Sequence, residues 1–364
     1  MNRLLAVLTL GMMLISCKEE VQMSDCKEFD ISFKGKASSS IKMSDIFSDV
    51  KYIQLDETVQ IGNVSSVRIV EDTIYVLDKK KDQIVKYDIK GNVAMKILRR
   101  GRGAGEYLSS DQFDVDERTG NISVLDIASR KVLIYTASGD FVDEFKIEGV
   151  PRDFALLDNG DYVFYSPDYN KYESYYGIWQ TDSRGRFKKH IMEIPRDFKF
   201  TSGIYPKYFH HMGDTVYVKG REDSYLLYHI SNDAYSTPYH LNVDIEVPKD
   251  ASRAEGPILD DYQGQVCLIQ HYLENKKLLY VQMYNLKDRI TLIYNKESGE
   301  SYEITKNSQV VADVPFAGYY ITTTEDAFVG VVLPEFVINN SELSSRFPNI
   351  TTESSPIISL SYLK

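Results

Sequence analysis

The chain has 364 residues, 43% of them hydrophobic and 26% charged, which is enough apolar sequence for a sizeable core. Its net charge of −11 argues against nucleic acid as a partner, because phosphate contacts need clustered Lys and Arg, and the one dense basic run, Arg99-Arg100-Gly101-Arg102, is too short to form a groove. A single Trp against 27 Tyr and 16 Phe is the bias of a strand-rich chain, and all-β folds of this length are often single units.

The first sixteen residues read as a signal peptide outside the fold. Arg3 supplies a positive start, Leu4 to Ile15 an apolar stretch, and no acidic residue precedes Glu19. Leu14-Ile15-Ser16-Cys17 resembles the bacterial lipobox, which implies that Cys17 is lipidated and becomes the mature N-terminus. The run Lys18-Glu19-Glu20 that follows resembles the export signal that sends lipoproteins of Bacteroidota to the outward face of the outer membrane. No later stretch approaches the roughly 18 apolar residues of a membrane span, so the lipid is the expected anchor. Residues 17–45 read as a polar tether with one short strand at Phe29–Phe33. Cys26 in this tether and Cys267 in a predicted strand could pair in an oxidising compartment; independent thiols are the preferred reading.

From Ile46 onward the sequence predicts a β-propeller over residues 46–364. The unit is seen in 121–146: three short runs rich in β-branched and aromatic residues, separated by Gly, Asp and Ser. Forty-eight residues earlier the pattern recurs without a gap: Val76-Leu77-Asp78 matches Val124-Leu125-Asp126, Tyr87 matches Tyr135, and Gly91 matches Gly139. A third copy places Val218-Lys219, Tyr228 and Asn232 at the same spacing, with Asn where the turn needs a positive φ. Repeats of this length point to a propeller or solenoid.

Counting turns gives the number of blades. Six lead from an inner strand to the next: Glu71-Asp72, Thr119-Gly120-Asn121, Asp158-Asn159-Gly160, Gly213-Asp214, Gln263-Gly264 and Glu325-Asp326. Five join the two outer strands, at Gly91, Gly139, Gly185, Asn232-Asp233 and Gly299. The missing sixth outer hairpin is supplied if Val50–Leu55 pairs with the C-terminal run Pro356–Leu363, closing a six-bladed ring and hiding its edge. Insertions are expected in blade three (Ser166–Ser174) and blade five (Asn275–Asp288), and a short helix at Glu335–Phe347. A β-sandwich pair or an open solenoid is the alternative architecture.

The lipobox, the Gly101–Tyr107 stretch GRGAGEY, the VLD…Y…G repeats and a hydrophobic C-terminal strand ending in Lys together resemble the six-bladed β-propeller lipoproteins of Bacteroidota, relatives of the NHL-repeat propellers. That family often has Asn-Pro before the closing strand, where this chain has Ser355-Pro356. The resemblance implies a fold and an envelope location, and no catalytic residues that map onto this sequence.

Candidate binding residues come from three places. The GRGAGEY stretch lacks the spacing of a nucleotide loop and leads into a strand. As a crossover between blades, it would bring Arg100, Arg102, Glu106 and Tyr107 near the central channel, a structural Arg–Glu pair being the competing reading. Tyr169, Tyr172, Tyr175 and Tyr176 crowd into the blade-three insertion; rings with a polar tip suit sugar or peptide faces, with core packing as the alternative. In KYFHHM, adjacent residues face opposite ways, so one of His210 and His211 can line the channel; His210 is taken as the candidate. Asp111, Asp114 and Asp116 match a calcium loop in composition only. No metal, cofactor or catalytic triad is expected; a divalent cation in the channel is the alternative, which the residue spacing does not support. Two functions stand: a surface-tethered, non-catalytic propeller binding a glycan, peptide or outer-membrane protein, or a propeller hydrolase or lyase with a metal-assisted site at the channel mouth.

Overall fold

A computed structural model describes residues 26–33, 40–166, 176–194, 208–220, 224–245 and 261–364. The proposed leader, Cys17, Lys18, Glu19 and Glu20 lie outside these residues, as do Tyr169, Tyr172 and Tyr175.

Six antiparallel sheets are arranged in a ring, each with four strands from the hub outward. Blade one comprises Val64–Val70, Thr73–Asp78, Gln83–Asp88 and Val93–Ile97, and blade two Gln112–Val115, Ile122–Asp126, Lys131–Tyr135 and Phe141–Lys146. Blade three comprises Asp153–Leu156, Tyr162–Ser166, Gly177–Thr181 and Phe187–Met192, and blade four Phe209–Met212, Thr215–Lys219, Leu226–Ser231 and Ala234–Val243. Blade five comprises Leu268–Glu274, Leu278–Tyr284, Arg289–Asn295 and Ser301–Thr305. Blade six takes Tyr319–Thr323, Ala327–Val332 and Ile357–Leu363 from the C-terminal part of the chain and Phe47–Gln54 from the N-terminal part.

The ring closes as the turn count predicts. Phe47–Gln54 is the outermost strand of blade six and runs antiparallel to the C-terminal strand, from Ile357 opposite Gln54 to Leu363 opposite Phe47. Ser355 and Pro356, which precede the closing strand, are both buried. The Ser355 hydroxyl accepts from the Ile61 amide at 3.0 Å and donates to Glu57, tying the closing strand to the crossover into blade one.

The repeated VLD motif has a structural explanation. Asp78 and Asp126 are fully buried at the ends of second strands. Asp78 accepts the amides of Gly62 at 2.7 Å and Lys80 at 3.1 Å; Asp126 accepts those of Leu108 at 2.8 Å and Ser129 at 3.0 Å. Each carboxylate thus shapes its own hairpin and pins the incoming crossover. Asn232 does adopt a positive φ of 48°, where Gly91 has 89°.

Three details differ from the sequence reading. In blade five the first hairpin is at Asn275-Lys276-Lys277 and Leu278–Tyr284 is its second strand, so the expected insertion at Asn275–Asp288 is largely ladder, and Gln263-Gly264 lies in the crossover before the blade. The short strand near Phe29 is Lys27–Ile31, which adds a fifth, parallel strand to the edge of blade four. The helical segment is two short helices, Pro334–Asn339 and Ser341–Arg346, held over blade six by Val337 and Leu343. Cys26 and Cys267 are both free thiols. Among the described residues no helix is long and apolar enough to cross a membrane.

Candidate functional site at the channel mouth

The meander order gives the ring two unlike faces. Where the innermost strands begin, the chain emerges in the crossovers between blades and in the links between second and third strands, including the two helices; this is the loop face. Where the innermost strands end, tight turns such as Glu71-Asp72 and Gly213-Asp214 close the hairpins; this is the turn face.

A cavity of about 690 Å³ opens at the loop-face mouth. Innermost strands supply Gln112, Gln270, His271, Tyr319 and Tyr320, and blade five adds Tyr280, Gln282 and Arg289 from its second and third strands. Gly318 admits the crossover into blade six: its φ is 78°, and a Cβ there would stand 2.1 Å from the Val331 carbonyl oxygen. Lys79 and Asp111 form an ion pair of 3.0 Å at the rim. The His271 ring meets Tyr280 edge-on at 6.0 Å, and burial, with Lys219 nearby, lowers its pKa from 6.5 to about 4, so the imidazole is neutral at physiological pH. Burial raises the Tyr280 and Tyr319 hydroxyls and pushes Tyr320 up to about 12, leaving three neutral phenols as donors and acceptors. Tyr319 keeps 44% of its surface exposed.

The turn-face mouth is chemically different. Its cavity of about 490 Å³ is lined by Arg68, Glu71, Glu117, His211, Glu325 and Asp326, among others. At its floor Asp114, 1% exposed, is held by Arg68 Nε at 3.1 Å, by His211 Nε2 at 2.6 Å and by the Leu156 amide at 2.7 Å. One carboxylate thereby joins blades one, two, three and four. Further round, the buried Glu274 carboxylate pairs with His229 at 2.9 Å, Lys296 and Tyr272; burial pushes its pKa up, but His229 and Lys296 together hold it below the usual value.

The sequence-derived candidates are scattered. Tyr107 is wholly buried and its hydroxyl donates to the Asp82 carbonyl at 2.6 Å, so it is a core residue and not a ligand contact. Its crossover lies against the outer strands of blades one and two, away from the channel: Tyr135 donates to the Gly105 carbonyl and Arg99 to that of Gly139. Glu106 bonds the Gly103 amide at 2.8 Å in place of the expected pair with Arg102, and a Cβ at Gly101 would collide with that carboxylate. Arg100 reaches Asp82 at 3.4 Å, and Arg102 is exposed. Tyr176 packs beside His190 on blade three. His210 is turned away from the channel: its Nε2 accepts from the Glu274 amide and its ring stacks on Tyr217, whereas His211 faces the turn-face cavity. Asp111 and Asp114 serve opposite mouths, and among the described residues no group of three or more His, Cys, Asp or Glu is placed to hold a metal ion.

The Gln and Tyr residues that line the loop-face cavity carry no motif in the sequence. The repeat does hold one signal. Lys219 stands where the repeat has a buried Asp; in the structure its ammonium donates to the Ile269 carbonyl at 2.5 Å, on the strand that carries Gln270 and His271.

No curated protein matches the chain. Among solved structures, a Bacteroides fragilis protein named as a candidate exported protein superposes with a TM-score of 0.76 at 19% identity, over 93% of this chain and all of that one. A member of the duf4221 family from Bacteroides vulgatus superposes with a TM-score of 0.55 at 12% identity, over 87% of this chain and 97% of that one. At these identities the likeness shows the propeller fold. The family model described as "Domain of unknown function (DUF4934)" matches residues 26–361, nearly the whole propeller, and the chain belongs to that family.

Proposed function

We propose that this protein is a non-catalytic binding propeller, tethered by lipid at Cys17 to the bacterial outer membrane and presenting its loop face to a glycan, a peptide or an envelope protein. The observation that carries the reading is the loop-face cavity, whose lining of glutamine amides, phenols and aromatic faces is that of a recognition site. Its volume lies within the roughly 300–1,000 Å³ of small-molecule sites. The lipobox at Cys17, the Lys18-Glu19-Glu20 run and the candidate exported protein of Bacteroides fragilis support an envelope location of the kind found in Bacteroidota. The kinship with NHL-repeat propellers belongs to the same reading.

The test has two arms. Cys17→Ala is expected to release the protein from membranes, since a lipid is the one anchor the sequence offers; a variant that still sediments with outer membranes at high salt contradicts the tether. In the second arm the full-length chain in detergent is screened on glycan and peptide arrays. Binding is expected to be lost in Tyr319→Ala and kept in Glu325→Ala at the other mouth. Cleavage products released from a retained ligand would favour the hydrolase or lyase reading.

A further inference from the structure

Within that binding reading, we infer that the loop-face mouth is built for an acidic sugar: Arg289 meets its carboxylate, and the buried carboxamide of Gln112 meets a hydroxyl.

Two independent observations carry this inference. The first is an orphaned polar group. Gln112 lines the cavity, is only 7% exposed, and its Oε1 has no hydrogen-bond partner. A buried carbonyl without a donor is costly unless something supplies one, and a sugar hydroxyl can donate to it while accepting from a neighbour. Gln270 and Gln282 repeat the same bifunctional amide around the cavity, and Tyr280 and Tyr319 add rings that suit the apolar face of a pyranose. Donors and acceptors spread around a compact pit fit a ligand whose hydroxyls radiate in several directions; an extended peptide would present them in a row.

The second observation is electrostatic. The chain carries a net charge of −11, yet the charged residues lining this mouth are Lys79, Arg289 and Asp111. Lys79 is neutralised by Asp111, whereas Arg289 makes no ion pair among the described residues and lies 5.5 Å from the Tyr284 ring centroid. The turn-face mouth has the opposite balance, with Glu71, Glu117, Glu325 and Asp326 against Arg68. A lone guanidinium in an otherwise acidic molecule is the group for two-pronged recognition of a carboxylate.

The test is calorimetric titration of the full-length chain in detergent with digalacturonic acid, its dimethyl ester and lactose. The acid is expected to bind at least about tenfold more tightly than the ester or the neutral sugar, the scale of a lost charge-assisted pair. Arg289→Gln is expected to abolish that preference, and Gln112→Leu to weaken acid and ester alike, with melting curves confirming that both variants fold. Equal affinity for acid and ester, or an Arg289→Gln variant that keeps the preference, overturns the inference. Neutral-sugar binding that still depends on Gln112 would in that case leave the binding reading standing. Failure of all three sugars to bind also overturns the inference, and a peptide hit lost in Tyr319→Ala would then keep the binding reading with a different ligand.

Discussion

The two mouths of the channel are made by the same six innermost strands, yet one keeps polar groups free and the other consumes them. At the turn face, Asp114 accepts from Arg68, His211 and the Leu156 amide, and Glu274 is shared among His229, Lys296 and Tyr272. At the loop face, two residues before Asp114 on the same strand, Gln112 leaves its carbonyl oxygen unpartnered, and Arg289 has no counter-ion among the described residues. Charged groups that satisfy one another across blades lock a ring, whereas groups left unsatisfied in a concave mouth can take a ligand. Under the proposed binding function, the contrast gives stability to one end of the channel and recognition to the other.

The largest perturbation should abolish both ends at once. Truncation after Ser355 removes the third strand of blade six, which lies between Ala327–Val332 and Phe47–Gln54. Ile357, Ile358, Leu360 and Leu363 are all buried there. At roughly 1.5–3 kcal/mol per side chain, their loss rivals the whole stability of a domain, about 5–15 kcal/mol. The truncated chain should be insoluble or lack a cooperative melt. A truncated protein that melts like the parent would show that ring closure contributes little.

The next effect separates the mouths. Arg68→Met leaves Asp114 buried without its guanidinium partner, and breaking such a pair costs about 3–5 kcal/mol. Adding Asp114→Leu removes the stranded carboxylate, so the double variant should be less damaged than the sum of the singles by more than about 0.5 kcal/mol. Denaturant midpoints of the four proteins measure this. Strict additivity would mean that Arg68 and Asp114 are merely neighbours, and the turn face would lose its assigned role.

How far the chain could be read follows the same division. Asp78 and Asp126, with Tyr87 and Tyr135, recur because blades one and two have the same crossover to pin, so fold and ring closure were legible from period and turn chemistry. The register slipped in blade five because Gln263-Gly264, a glycine turn in the crossover before the blade, stands in the sequence where a first hairpin is expected, while the true hairpin lies at Asn275. Asn275 turns the chain there by accepting the amides of Lys277 and Leu278 with its own side chain. The site was less legible. Tyr107 and His210 attracted notice as conspicuous residue types, but a period of two cannot tell a side chain facing the channel from one wedged between blades. Gln112, Gln270 and Gln282 became a set only once the ring brought blades two and five to the same mouth.

The smallest expected effect is a pH signature at the loop face, and it turns on His271. Burial, reinforced by Lys219, lowers its pKa from 6.5 to about 4 in the folded protein. Between those values the unfolded chain binds a proton that the folded chain refuses, so stability rises with pH across the window and is lost as the pH falls through it. His271→Asn cannot titrate and is free of this loss. Its melting temperature should therefore lie furthest below, or least above, that of the parent near neutral pH, and the difference should shift in the variant's favour as the pH falls from 6.5 toward 4. The Glu274 carboxylate also loses stability on acidification, since its folded pKa is lowered below 4.5, but it is common to both proteins and cancels in the difference. Parallel melting curves for parent and variant across the window would mean that His271 is protonated as freely as an exposed histidine. The loop-face mouth would then carry a second positive charge besides Arg289 in mildly acidic medium, and Arg289 would be its one uncompensated cation among the described residues only above that range.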